Sequence, residues 1–261
     1  MQTHQHEVER VRQLTGDGFV IDMAGPIPPT LSGQFYMVQS MDGWPGLLPR
    51  PFSLYDRRDG GAVGSLLGKA IGPCTQALRE LRPGDLLSLT GPLGKPFPED
   101  VTEPVCIAGG VGLAPFLLLA RKLHEAGQPP MQLLFGGRDA AALAGAEDFD
   151  GLARVSTATE DGSHGLEGRV TELLEQQIGE GAVATDATIF CCGPDPMMEA
   201  VARCANTHQM RCFVSLETYM ACGYGVCNGC SVEVQGERFG GWPYSRTCQE
   251  GPVYATNELT W

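Results

Sequence analysis

Four cysteines near the end of the chain constrain its fold and chemistry more than any other feature. They occur as C-x4-C-x2-C followed by a distant fourth cysteine, at Cys222, Cys227, Cys230 and Cys248. This is the ligand spacing of a plant-type two-iron two-sulfur (2Fe-2S) cluster. Glycines at 223, 225 and 229 allow a short loop to curl and to point backbone amides at the sulfurs. The motif therefore predicts a protein that transfers single electrons.

Zinc coordination and disulfide bonding are the alternatives for these cysteines. Zinc sites usually contain two C-x2–4-C pairs, a pattern that this triplet fits less well. The chain has ten cysteines, and its first residues lack the apolar segment of an export signal, so we expect a reducing, cytoplasmic environment. We expect the other six to be small buried hydrophobes: Cys74, Cys106, Cys191, Cys192, Cys204 and Cys212.

Length and charge narrow the class of protein further. A chain of 261 residues is long enough for two or three domains. Its net charge of -13 argues against a nucleic-acid partner, because such a partner requires a basic face. No apolar run approaches the length of a membrane span.

The pattern of short segments predicts three domains. Residues 1–98 contain short β-type runs between turn residues, at Phe19–Met23, Gly33–Gln39 and Asp85–Leu89, which favours an antiparallel β barrel. Residues 99–215 alternate strands with helices and predict a doubly wound parallel sheet. Residues 216–261 contain the cysteine motif and one short strand, as expected for a small cluster-binding domain.

In the second domain the sequence predicts five strands and three helices. The strands are expected at Val105–Ala108, Met131–Phe135, Ala153–Thr157, Thr188–Cys192 and Arg211–Ser215, and the helices at Pro115–Glu125, Gly168–Gln177 and Pro196–Asn206.

Two turns of this domain are candidates for binding a nucleotide. Gly109, Gly110, Val111 and Gly112 follow the first strand, and Cys192, Gly193 and Pro194 follow a later one. Ligands bind at the carboxyl ends of such strands, where backbone amides and helix N-termini receive phosphate. Tight turns without a ligand also use glycine, and Cys192 fits a nicotinamide site and a core position equally well.

Arg50, Pro51, Phe52 and Ser53 form a further candidate in the barrel segment. An arginine can bind a phosphate, and a serine hydroxyl can hydrogen-bond a flavin ring nitrogen. On these residues alone, a solvated arginine in a loop is the simpler interpretation.

Taken in order, these motifs resemble the ferredoxin–NADP reductase superfamily. The segments are Arg50–Ser53, then Gly109–Pro115, then Cys192–Met197. With the tail from Glu217 to Cys230, the resemblance narrows to the electron transfer subunits of class 1B dihydroorotate dehydrogenases and covers nearly the whole chain.

The resemblance implies bound FAD, a 2Fe-2S cluster and NAD. It assigns FAD contacts to Arg50, Pro51, Phe52, Ser53, Leu67, Gly68, Lys69, Cys74 and Thr75. Cys74 replaces the usual glycine of the family, which keeps the backbone amide that faces the pyrophosphate but adds a side chain beside it, and Tyr219 replaces a residue that is often polar. Glu160 and Asp161 match a turn near the dinucleotide, although an ordinary acidic turn fits equally well. Arg138 could favour NADP, but the family implies NAD.

The resemblance also implies a function and a partner. A catalytic subunit containing FMN would oxidise dihydroorotate in pyrimidine biosynthesis, and electrons would pass through the cluster and FAD to NAD+, in a heterotetramer of two copies of each chain. The cluster loop is expected near the surface. No catalytic set is predicted, because the histidines are scattered at positions 4, 6, 124, 164 and 208. Similar subunits of bifurcating ferredoxin oxidoreductases, hydrogenases or sulfide reductases, and a redox sensor, are the alternative functions.

Overall fold

The first part of the chain forms a closed antiparallel barrel. A computed structural model describes residues 2–101 and 103–261. The barrel contains β1 (Gln2–Gln13), β2 (Gly18–Ala24), β3 (Phe35–Ser40), β4 (Arg50–Arg58), β5 (Val63–Lys69) and β6 (Leu86–Leu93), and helix α1 (Pro73–Arg79) lies between β5 and β6. The strand order around the barrel is β1-β2-β5-β4-β3-β6.

Alternating burial explains these strands. In β6, Leu87, Leu89 and Leu93 are buried while the residues between them are partly exposed, apart from a buried glycine, as expected when every second side chain points into the barrel. The predicted strand at Gly33–Gln39 begins instead at Phe35, because Gly33 takes a φ of 92° that belongs to a turn.

A sheet flanked by helices follows the barrel. Its elements are β7 (Val105–Gly109), α2 (Ala114–Glu125), β8 (Met131–Gly137), β9 (Ala153–Thr159), β10 (Leu166–Glu167), α3 (Val170–Gly179), β11 (Ile189–Cys192), α4 (Asp195–Thr207) and β12 (Cys212–Ser215). The strand order is β10-β9-β8-β7-β11-β12, and all five pairings are parallel. The predicted barrel and parallel doubly wound sheet are both confirmed.

The predicted bounds are close to those observed, with one informative shift. Helix α3 begins at Val170 rather than Gly168, because Gly168 has a φ of 141° and Arg169 is extended. Both conformations are incompatible with an α-helix.

The cysteine-rich tail contributes to two sheets. β13 (Ser231–Glu233) pairs with β14 (Tyr244–Arg246) in a small antiparallel ribbon. β15 (Val253–Ala255) instead pairs antiparallel with β12 and becomes an edge strand of the large sheet. The tail therefore shares a sheet with the preceding domain. The domain boundaries at residues 98 and 215 remain predictions.

Polar contacts join the barrel to the sheet domain. Arg121 on α2 donates two hydrogen bonds to Asp56 on β4, at 2.6 and 2.8 Å. The Tyr55 hydroxyl on β4 donates to Asp148 at 2.8 Å. Paired contacts of this kind orient two surfaces relative to each other. Among the residues described, no helix is both long enough and apolar enough to cross a bilayer.

Candidate functional site

The two glycine-containing turns meet at the carboxyl ends of adjacent parallel strands. β7 and β11 are neighbours, and the strand order reverses direction between them, as expected for a ligand-binding crevice. A Cβ atom on Gly112 would clash with the carbonyl oxygen of Cys192. Glycine at this position therefore lets the two turns pack backbone against backbone.

A cavity of about 260 Å3 lies between the barrel and this edge of the sheet. We call it the interdomain cavity. Eight of the predicted cofactor-binding residues line it: Pro51, Phe52, Ser53, Leu67, Gly68, Lys69, Val111 and Cys192. The tertiary structure thus brings four separate stretches of sequence to one space.

The barrel wall of the cavity depends on a close approach at Gly68. A Cβ atom there would lie 2.6 Å from Cε1 of Phe52 and 2.7 Å from Cζ of Phe19. These distances are too short for two carbon atoms, so only glycine lets β5 pass behind both rings.

Arg50, Cys74 and Thr75 do not line the interdomain cavity. The Arg50 guanidinium donates to the Leu48 carbonyl at 2.7 Å. The Thr75 hydroxyl accepts hydrogen bonds from the amides of Ile71 and Gly72 at 2.9 and 3.1 Å. Cys74 is buried at the start of α1. Their assignment as FAD contacts therefore remains a prediction.

Sequence reasoning missed the polar groups that the tail contributes to the cavity. Ser215, Glu217 and Thr218 line it, and the buried Thr218 hydroxyl has no hydrogen-bond partner among the residues described. Burial in the cavity wall and the nearby Asp195 carboxylate raise the pKa of Glu217, although its side chain stays open to the cavity. A buried hydroxyl without a partner is uncommon in folded proteins and suits a polar ligand.

Cys192 lies on the sheet side of the same cavity. Burial raises the pKa of its thiol, and the negative charge of Glu217 raises it further. Cys192 is therefore a neutral thiol near neutral pH, with little nucleophilic character. Cys192 is buried, as a core position requires, and it also lines the cavity. Its contact with a nicotinamide remains a prediction.

A second pocket, of about 480 Å3, lies on the other side of the glycine turns. We call it the dinucleotide pocket. Gly109, Gly110 and Pro194 line it as well as Lys69, which also lines the interdomain cavity. Arg138 and Glu160, which the sequence suggested, lie in its wall. Arg169, directly before α3, and Thr171, in its first turn, also line this pocket, and the sequence did not suggest them. Gly112, Gly193 and Asp161 line neither space.

The cysteine loop is folded in a way that suits thiolate ligands. Burial raises the pKa of Cys222, but hydrogen bonds from the amides of Cys227, Tyr224 and Val226 outweigh this effect and lower it to about 6. Gly223 and Gly225 have φ values of 78° and 84°, which lets the loop turn its amides inward. Arg246 holds the loop in place by donating to the Gly225 carbonyl at 2.9 Å.

Cys230 and Cys248 are buried against the barrel. They pack with Phe35, Met37 and Leu93, and Met220 joins this group from the side. Burial and the neighbouring Cys230 raise the pKa of Cys248. Met220 and Phe35 also line the interdomain cavity. One side chain from the tail and one from the barrel therefore contact both the cavity and the cysteine group.

The outer part of the cysteine loop faces solvent. Cys227 is exposed, and the Val226 side chain is 72% exposed. The expected surface position of this loop is thus confirmed. None of the ten cysteines, all of which lie in the described part of the chain, forms a disulfide, and all six outside the motif are buried as predicted.

Comparison with known proteins identifies two regions. Residues 106–203 match the family described as an oxidoreductase NAD-binding domain. Residues 217–260 match the iron-sulfur cluster binding domain of dihydroorotate dehydrogenase B. The second match contains all four cysteines of the motif and favours the cluster over zinc.

Several curated relatives match most of the chain. The electron transfer subunit of dihydroorotate dehydrogenase B (NAD(+)) from Caldanaerobacter subterraneus subsp. tengcongensis is 34% identical over 87% of this chain and 86% of its own. The corresponding subunit from Bacillus caldolyticus is 32% identical over 96% of this chain and 93% of its own.

One solved structure has a similar fold over almost the whole length of this chain. The NADH-dependent reduced ferredoxin-NADP oxidoreductase superimposes with a TM-score of 0.84 and 25% identity, covering 98% of this chain and 90% of that one. The ferredoxin reductase of carbazole 1,9a-dioxygenase, with a TM-score of 0.69 at 24% identity over 81% of this chain and 68% of its own, shows the same fold. By sequence and by fold, the chain belongs to the electron transfer subunit family of dihydroorotate dehydrogenase B, within the ferredoxin reductase-like superfamily.

Proposed function

We propose that this chain transfers electrons between NAD+ and a dihydroorotate-oxidising partner that contains FMN, in the pyrimidine biosynthesis of the cytoplasm. It would hold FAD in the interdomain cavity and a 2Fe-2S cluster in the cysteine loop. The observation that carries this proposal is the double contact of Met220 and Phe35, which touch the cavity and also pack with Cys230 and Cys248. Two redox groups bound there would be separated by little more than these side chains.

The residues present fit the groups that the family implies. When bound, the cluster accepts single electrons, whereas FAD also exchanges a hydride with nicotinamide. The chain supplies four cysteines within one cluster motif, and inward amides that stabilise negative charge on sulfur. The unpartnered Thr218 hydroxyl and the Ser53 side chain offer hydrogen bonds within the cavity.

The nicotinamide end of the dinucleotide would lie beside Cys192. This thiol lines the interdomain cavity just before the Gly193–Pro194 turn, and Pro194 lines the dinucleotide pocket. Because the Cys192 side chain is buried, it would keep water from this wall, and because its thiol stays neutral, it would present no charge to the reacting ring. Binding and orientation, without acid–base chemistry by a side chain, would then be the contribution of this wall.

We propose NAD rather than NADP as the dinucleotide. Glu160 lies in the wall of the dinucleotide pocket, where a carboxylate suits the ribose 2′-hydroxyl and repels a 2′-phosphate. Arg138 and Arg169 line the same pocket and would lessen this preference. NADH should reduce bound flavin faster than NADPH, and equal rates would reject the preference.

The partner would approach the exposed side of the cysteine loop. Large apolar side chains surround this part of the tail: Tyr219, Tyr224, Val226, Trp242 and Tyr244. Aromatic residues are typical of protein–protein interfaces. Tyr219, which departs from the family pattern, is 97% exposed and so belongs to this candidate interface. A heterotetramer with two copies of each chain remains our expectation for the assembly.

The deciding experiment isolates the native complex without air through a tag on this chain. Dihydroorotate-dependent reduction of NAD+, lost when the copurified partner is removed, is the expected result. The complex could instead contain iron, sulfide and flavin, and NADH could bleach the flavin, while dihydroorotate does not reduce NAD+. That result would support electron transfer by this chain but reject a dihydroorotate-oxidising partner.

A second candidate function is that of a subunit in an electron-bifurcating complex. The likeness to the NADH-dependent reduced ferredoxin-NADP oxidoreductase over 98% of this chain favours it. In that case the copurified protein would reduce ferredoxin and would not oxidise dihydroorotate.

A further inference from the structure

Helices α3 and α4 bring together three metal-ligating side chains outside the sites described above. Glu175 lies on α3, Cys204 lies in the last turn of α4, and His208 directly follows α4. Their ligand atoms all lie within 4.8 Å of one another. The Glu175 carboxylate and the Nε2 atom of His208 are 2.8 Å apart.

The backbone orients these groups before any ligand binds. Cys204 and His208 are four residues apart, so they lie on one face of the helix. The His208 amide donates to the Cys204 carbonyl at 3.1 Å, which continues the helical geometry to His208. Buried Leu173 and Leu174 hold α3 against the sheet core that also contains Cys204. A site on two packed helices is more rigid than one on a loop.

The donor set matches one class of cation. A thiolate sulfur, an imidazole nitrogen and a carboxylate oxygen are the ligands that Zn²⁺ takes in proteins, with water free to complete a tetrahedron. Harder cations such as Mg²⁺ and Ca²⁺ prefer sites made entirely of oxygen ligands. Arg203, which precedes Cys204, is paired with Glu199 at 2.5 Å, and the Glu175 carboxylate contacts His208.

We propose that Glu175, Cys204 and His208 bind one zinc-class divalent cation. On binding, a bond forms between the metal and the Cys204 sulfur, and the thiol proton passes to solvent. The cation would join the distal parts of two helices whose N-terminal ends line the dinucleotide pocket, through Val170 and Thr171 on α3 and Met197 on α4. This site is separate from the cysteine loop and does not depend on the proposed electron transfer.

The test titrates the cluster-loaded protein with Zn²⁺ and measures heat of binding, iron content and the zinc X-ray absorption spectrum. The expected result is one equivalent of zinc, unchanged iron, and a first shell with one sulfur at about 2.3 Å and lighter atoms at about 2.0 Å. A shell of four sulfurs with loss of iron would mean that zinc had replaced the cluster. A shell without sulfur would place zinc elsewhere, for example on surface histidines. Either outcome, or no binding, overturns the proposal.

Two variants and a control localise the site. Cys204→Ser and Glu175→Gln should each raise the zinc dissociation constant by more than about 10-fold, since even outer-shell changes at metal sites reach that size. Glu175 is exposed, and glutamine keeps a hydrogen-bonding side chain at this position. The Glu175→Gln variant therefore remains informative if Cys204→Ser fails to fold. His124→Gln changes an exposed histidine on α2 and should leave binding unchanged. Equal affinity in all three variants would contradict the assignment.

Discussion

The Phe97 ring stacks on the Phe190 ring, with the ring centroids 4.6 Å apart and the ring planes 20° apart. Phe97 follows the last barrel strand, whereas Phe190 lies in β11, an inner strand of the parallel sheet. Both are buried in a hydrophobic cluster that also contains Cys192 and Val253. Residues from the barrel, the sheet and the tail thus share one core directly behind the interdomain cavity.

Phe97→Ala should destabilise the protein by about 3–5 kcal/mol, the usual cost of removing a buried phenylalanine ring. The substitution would leave an empty space in the hydrophobic cluster between the barrel and the sheet. Guanidinium unfolding of the cluster-loaded protein measures the free energy of unfolding. Leu47→Ala is the control, since Leu47 is 95% exposed and its loss should have almost no effect. Equal stability of the two variants would show that the stack contributes nothing to domain association.

Gly112→Ala should lower both the melting temperature and the affinity for NADH. The new Cβ would clash with the Cys192 carbonyl oxygen, and rigid backbone can move away only by separating the two turns. Gly179→Ala is the matched control, because a Cβ there meets no atom within 4 Å and alanine favours a helix. Thermal unfolding and NADH titration should leave the control unchanged or slightly more stable. Normal NADH binding by Gly112→Ala would contradict the close approach of the turns.

His6 should make the protein less stable in mild acid. Burial lowers the pKa of His6 below its usual 6.5, a hydrogen bond to the Ala24 carbonyl partly opposes this, and nearby His4 lowers it further. The unfolded chain therefore binds a proton at a pH where the folded chain does not, so stability falls as pH drops below about 6.5.

His6→Gln should reduce this acid-dependent loss. The quantity to compare is the fall in melting temperature between about pH 7.5 and about pH 5.5, a range in which histidine titrates. His124→Gln, at an exposed histidine on α2, should keep the full loss. If His6→Gln loses as much stability as the unmodified chain, another group is responsible.

Thr218→Val should weaken FAD binding. The buried Thr218 hydroxyl lines the interdomain cavity without a partner among the described residues, so a polar group bound there would gain a hydrogen bond. Its loss should cost about 0.5–1.5 kcal/mol of binding free energy. Thr218→Ser keeps the hydroxyl and should bind FAD almost normally. A valine variant with unchanged FAD affinity would show that the hydroxyl faces no cofactor.

Cys227→Ser should remove the cluster and separate the two halves of the proposed electron path. Iron content should fall, dihydroorotate-dependent NAD+ reduction by the complex should be lost, and NADH should still bleach bound flavin. Serine replaces one of the thiolates that the cluster requires. His124→Gln, at an exposed histidine on α2, should retain iron and activity. Full iron content in Cys227→Ser would mean that another residue is the ligand.

Local patterns in the sequence were enough to predict the main elements. Alternating burial in β6 and glycines at sharp turns depend on neighbouring residues alone, so the barrel and the βα units could be recognised. The spacing of the cysteines is likewise a local pattern that indicates the cluster site, because all but one of the ligands lie within a single short loop. Most observed bounds differ from the predicted ones by one to four residues, and at Gly33 and Gly168 the reason is a glycine in a turn conformation.

The sequence by itself determined which chemistry the chain can hold, through the identity and spacing of Cys222, Cys227, Cys230 and the glycine turns. Only the tertiary structure decided that β15 from the tail closes the edge of the sheet, that Met220 lies between cavity and cysteines, and that Glu175 meets His208. These contacts join residues far apart in the chain. They depend on how helices and sheets pack, and no short-range pattern of residues specifies that packing.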